Sequence, residues 1–141
     1  MPDYTPPIAD MTLILEKIVP LSALGRDDLD TGMVGAILEE AGKLASGVIA
    51  PLNHSGDKQG ATWKDGVVTT AKGFKDAYHA FRDGGWNAVP FDPQYGGQGL
   101  PWLMSFPVQE MWQAANMSFG LCPLLNQGAV EATKPVFGRA A

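Results

Sequence analysis

The sequence predicts an all-α fold, a bundle of four to five helices joined by long ordered loops. Apolar residues recur at steps of three and four in several stretches. Glycine and proline, 17 and 11 of 141 residues, punctuate the chain between those stretches. Only one short segment, around Asp65 and Gly66, offers a hairpin, and two isolated strands are marginal in water.

Residues 1–9 are proline-rich and extended in this reading. Asp10 is the expected N-cap of a short helix over about 11–19, which Pro20 ends. Residues 20–30 read as a turn with a helical snippet. Asp30 or Thr31 then caps a longer helix over about 32–49. Its apolar stripe is Val34, Ile37, Leu38, Ala41, Leu44, Ala45 and Val48, and Pro51 is expected to stop it near Ala50. Residues 51–70 read as the least helical stretch, with Asn53, Ser55, Gly56 and Asp57 as turn formers. Thr70 opens a helix over about 71–83 with Phe74, Ala77, Tyr78 and Phe81 on one face, and Gly84-Gly85 ends it. Residues 86–101 form a loop. A further helix over about 101–116 carries Phe106, Glu110, Met111 and Ala114 or Ala115 as candidate inward residues. The last begins near Ser118 and contains Leu121, Leu124, Leu125, Ala129 and Val130.

Length sets a prior of one domain, large enough to bury a core without metal or disulfide. Ten basic against 15 acidic residues give a net charge of −5. That argues against a nucleic-acid partner. One cysteine, Cys122, excludes an internal disulfide and a cysteine-based zinc site. No apolar run approaches the roughly 18 residues of a transmembrane helix. The first ten residues do not read as a signal or transit peptide, and the expected location is the cytoplasm.

Taken singly, the residues offer little chemistry. His54 reads as a surface turn residue, and His79 as a solvated residue off the apolar stripe. Cys122 lies in an apolar run and reads as a small core residue. The loop Tyr95-Gly96-Gly97-Gln98-Gly99 is the sharpest local signal. Glycine-rich loops entering a helix can bind phosphate through backbone amides, or can simply form a tight turn against the helix start. Glu110 sits among Val108, Met111 and Trp112, so its carboxylate faces either a cavity or solvent.

Five blocks, in order, carry a resemblance. They are YTPPIADMTLIL (4–15), AILEEAGKLASGVIAPLNHSGD (36–57), GFKDAYHAFRDGGW (73–86), PFDPQYGGQGLP (90–101), and Glu110 with Asn126-x-Gly128-Ala129. Together they resemble the N-terminal helical domain of flavin-dependent acyl-CoA dehydrogenases, in a bacterial branch with an N-terminal extension. The resemblance implies an extension with a short helix over 1–30 and the helical domain over 31–141. It runs to about residue 132; TKPVFGRAA beyond does not resemble the family's continuation.

Family chains are at least about two and a half times this long. The family's β-domain and second helical domain, with the catalytic carboxylate and most FAD contacts, have no counterpart here. The expectation is thus a truncated dehydrogenase whose full-length relatives oxidise acyl-CoA to 2-enoyl-CoA with FAD. It would lack catalytic and cofactor-binding residues of its own and be inactive alone. Phe106, Glu110 and Asn126 are the substrate-side candidates, lining one wall of the acyl pocket. The glycine loop becomes a domain-docking turn, and the expected partners are acyl-CoA and either a homo-oligomer or the remaining domains. Trp86, Trp102, Trp112 and Phe91 are candidates for an exposed docking face. Two alternatives stay open: a stand-alone helical interaction module docking on a separate flavin-bearing subunit, and a small bundle that binds a lipid or acyl chain without chemistry.

Overall fold

A computed structural model describes residues 4–26 and 28–137, with side chains through residue 133. Its regular structure is helical, apart from one hairpin. The elements are α1 (Ile8–Leu13), α2 (Thr31–Leu44), α3 (Pro51–Gln59), β1 (Thr62–Lys64), β2 (Val67–Thr69), α4 (Phe74–Asp83), α5 (Trp102–Ala115) and α6 (Met117–Phe137). α2 and α3 join into one rod, so the bundle has five helical pieces, as the periodicity predicts.

That rod corrects the expected stop at Pro51 and the expected turns in residues 51–59. Ala50 is helical (φ −60°, ψ −41°), and its N–H reaches back five residues to the Ala45 carbonyl at 2.8 Å. Proline lacks an N–H, and its ring clashes with the carbonyl four residues back. The wide turn over Ala45–Ile49 opens the ladder at that point, and Pro51 takes the first position of the continuing helix. The wide turn also advances the buried face by one residue. Ile49 is fully buried where the simple period puts Val48, which is exposed. α1 has a similar wide turn over Ile14–Ile18, where Val19 donates to the Ile14 carbonyl just before Pro20.

Two starts also differ from expectation. α1 begins before Asp10, with Pro7 at its N-cap, and Asp10 lies in the first turn, where a carboxylate suits the helix dipole. Asp30 caps α2 as expected, its carboxylate accepting from the Met33 N–H at 2.8 Å. α4 begins at Phe74 because Gly73 takes a left-handed φ of +90°. The Asp65-Gly66 hairpin does form. Both turn residues have positive φ, as a two-residue type I′ loop requires, and all six strand residues are exposed.

The core lies between α2, α5 and the aromatic face of α4. Met11, Leu15 and Leu21 from the first 30 residues join it, packing with Val34, Leu38 and Met104. Phe81 is its aromatic centre, edge-on to Trp112 at 5.7 Å and to Phe119 at 5.8 Å. α3 presses so close to α4 that a Cβ on Gly56 would meet the Phe74 ring at 2.5 Å.

A single residue, Asn116, turns the chain between α5 and α6. It is 0% exposed and extended (φ −163°, ψ 96°). Its Oδ1 accepts from the Phe119 N–H at 3.2 Å and from the Ser118 hydroxyl at 2.7 Å, which caps α6. Its Nδ2 donates to the Ile49 carbonyl at 3.4 Å, tying the corner to the end of the wide turn.

Replacing Asn116 by alanine removes the cap and the tie to the rod together. We expect a loss of about 2–4 kcal/mol, read as a lower midpoint in urea unfolding. Gly35, on an open face of α2, serves as the control. Gly35→Ala should raise the same midpoint, by up to about 1 kcal/mol.

Candidate functional site

Phe106 and Glu110 lie one helical turn apart on the outer face of α5, and Asn126 lies on α6. All three are exposed, Phe106 at 59%. The inward reading of Phe106 and Glu110 is therefore corrected. The buried face of α5 is Met104, Ser105, Val108, Met111, Trp112 and Ala115, and period 3.6 leaves residues 106, 110 and 114 outside. None of the three lies in an enclosed cavity of the described residues.

Each nevertheless has a distinct setting. The Phe106 ring packs on Trp102 at 6.1 Å, and Trp102 packs edge-on against Phe91 at 6.3 Å. A strip of aromatic surface thus runs from the stem of the glycine loop onto α5. Trp86, Trp102 and Phe91 are half-buried, and Trp112 is buried, which removes it from the expected docking face. Glu110 lies one turn before Ala114, which lines an open groove of about 750 Å³ shared with Tyr4, Ala50 and His54. The Asn126 side chain makes no hydrogen bond among the described residues. Its neighbour Gln127 faces inward instead, 4% exposed, with its Oε1 buried and unpartnered. Phe119, Pro123 and Gln127 form a stripe at steps of four, so the period was visible had a glutamine been admitted to it.

Tyr4 reaches this groove because the N-terminal arm crosses α2 where that helix has no side chain. A Cβ on Gly42 would meet the Pro6 ring at 2.9 Å. The Tyr4 hydroxyl is buried without a partner. Burial, and then the negative charge of Glu110, hold the phenol above its ordinary titration range.

The glycine loop is a closed turn and offers no phosphate cradle. The Gly96, Gly97, Gln98 and Gly99 N–H groups donate to the carbonyls of Pro93, Asp92, Ala88 and Phe91, all within 3.0 Å. With its amides engaged internally, the loop has no anion-binding nest. Gly97 lies directly against the Phe91 carbonyl, where no side chain fits. The Gln98 amide donates to the Gly85 carbonyl at 3.0 Å. Arg26 donates to the Gly99 carbonyl at 3.0 Å and forks onto Asp28 at 2.7 Å twice. That hydrogen-bonded pair holds the Asp28 carboxyl below, and the Arg26 guanidinium above, their ordinary ranges.

Three other residues stand differently from expectation. Cys122 is exposed, because the inward stripe of α6 runs through 119, 120, 123 and 127. His54 is exposed as expected but on helix α3, and His79 is half-buried. No helix among the described residues is long and apolar enough to cross a membrane.

No family model matches the chain. It is 36% identical over 135 residues to the 3-methylmercaptopropionyl-CoA dehydrogenase of Ruegeria pomeroyi, an acyl-CoA dehydrogenase. The match takes in 92% of this chain and 23% of that relative, so the chain spans about a quarter of the relative's length.

Tyr4→Phe tests the phenol's burial. Its raised titration means that its contribution to stability is complete below its ordinary value near pH 10 and is lost as pH rises through the folded value. Wild type should therefore lose Tm above pH 10 more steeply than Tyr4→Phe. At pH 7 the variant should match or slightly exceed wild type, since it removes an unpaired buried hydroxyl. Parallel alkaline limbs would place the phenol in water.

Proposed function

From its kinship with the acyl-CoA dehydrogenases over nearly its whole length, we propose that the chain is the N-terminal helical part of such an enzyme. Within it, residues 1–30 are the extension and residues 31–141 the helical domain. It supplies one wall of the acyl pocket and a docking surface for the flavin-bearing remainder. The supporting observation is where the candidate residues lie. Phe106, Glu110 and Asn126 stand on open helix faces, as a wall needs when a separate domain completes the pocket.

The exposed apolar surface supports the same reading. Much of it lies on α6, where Met117, Leu121, Leu124, Leu125 and Val130 face outward and Leu125 is 71% exposed. Monomers rarely leave such a stripe in water.

In this reading the substrate is an acyl-CoA thioester, and FAD when bound accepts the hydride. The described residues of this chain do not fit a flavin. The loop amides that would face its phosphates are engaged internally, and its grooves are open rather than slot-like. The flavin and the base are therefore assigned to the remainder of the enzyme. Phe106 and the aromatic strip behind it hold the acyl tail. Glu110 and Asn126 set the polarity at the end of that wall.

The purified 141-residue chain should carry no stoichiometric flavin absorbance and oxidise no acyl-CoA; a flavin spectrum at one equivalent overturns the proposal. A chimera tests the wall itself. With this chain in place of the matched segment of the Ruegeria enzyme, Phe106→Ala should change the ratio of kcat/KM between long and short acyl-CoA substrates by about tenfold. An unchanged profile removes Phe106 from the pocket. A flavoprotein co-purifying from the native host with an intact 15.0 kDa chain would favour the interaction-module reading instead.

A further inference from the structure

A second groove, of about 500 Å³, lies between β2, the edge of the aromatic face of α4 and the first turns of α6. Its walls are Val68, Phe74, Tyr78 and Phe119, with Ser118 and Cys122 at one side. Phe106, Glu110 and Asn126 take no part in it. The volume falls within the roughly 300–1,000 Å³ of small-molecule sites, and the lining has their usual balance of apolar wall and few polar groups. The fold holds the wall in place. Gly56 lets the Phe74 ring lie against α3, and that ring packs on Phe119 at 6.4 Å.

The charge in this groove is of one sign. Lys75 lines it, no carboxylate does, and Lys75 forms no ion pair among the described residues. Tyr78 and Ser118 also line it, the Ser118 hydroxyl donating to Asn116 Oδ1 at 2.7 Å. In a chain of net charge −5 this is a local cation set against an apolar surface. We propose that the groove binds a small apolar carboxylate, with its body on Phe74, Tyr78 and Phe119 and its charge on the Lys75 ammonium. This site is independent of the acyl wall on α5 and α6.

Cys122, the only cysteine in the sequence, lines the groove and is exposed, so it reports occupancy directly. The test is the rate of Cys122 alkylation by N-ethylmaleimide in the 141-residue chain, with 2-naphthoate, the neutral 2-naphthylmethanol, or the cationic 2-naphthylmethylammonium added. Naphthoate should slow alkylation in a saturable manner, and the cation should protect least. Lys75→Ala should raise the naphthoate concentration needed by up to about fivefold, with little effect on the alcohol. Ser118→Trp, which fills the groove from the exposed start of α6, should abolish the protection by naphthoate. An alkylation rate indifferent to naphthoate overturns the proposal. So does equal protection by all three probes, or an unchanged naphthoate dependence in Lys75→Ala.

Discussion

Asn116 is the constraint on which the rest of this structure depends. Two helices of 14 and 21 residues meet there with one residue between them. A turn that short has no loop to absorb error, so the corner residue must satisfy its surroundings alone. Its amide caps α6 with the oxygen and reaches α2's wide turn with the nitrogen. Both ends of one side chain thereby fix the α5–α6 pair and its position against the rod. The aromatic centre then follows, because Trp112 and Phe119 flank the corner and close on Phe81 from either side.

The wide turn is the matching device on the other helix. It carries the rod past a proline and brings Ile49 inward beside the corner. One extra residue in the turn thus sets which carbonyl Asn116 meets and lets helix α3 continue to the Phe74 ring. The N-terminal arm and Arg26 complete the frame. The arm passes over Gly42, and the guanidinium holds the glycine loop by the Gly99 carbonyl. The outer faces of α5 and α6 are thereby presented by a scaffold braced from behind.

Most of the fold was legible because its helices are amphipathic and its breaks are glycine. The stripe Phe74, Ala77, Tyr78 and Phe81 packs as its spacing implies, and Asp30 caps where it reads as a cap. Residues 51–59 were not legible. A turn-rich composition stood against helix, and what carried helix through Pro51 was the wide turn, a change of hydrogen-bond step that leaves no pattern in residue types. The candidate site rests on the resemblance, and period misdirected its side chains. Phe106 and Glu110 sit on α5 as expected but on its outer side, since a helix apolar nearly all round gives no clear inward face. Tyr4, Lys75 and Gln127 were passed over because nothing local marks them; only the crossing of distant segments gives them a setting. Cys122 was misread for the opposite reason, as its apolar neighbours form an exposed stripe.

The tie between Asn116 and Ile49 spans 67 positions of sequence. During synthesis the rod emerges long before the corner that fastens it, and at the usual pace of translation that interval lasts several seconds. Throughout it the face of the rod that will receive α5, with Leu38, Ala41 and Ile49, has only the earlier Met11, Leu15 and Leu21 to pack against. Closing so long a loop has an entropic cost that only later contacts offset. The nascent chain therefore holds this apolar helix face without its α5 partner for the whole of that time.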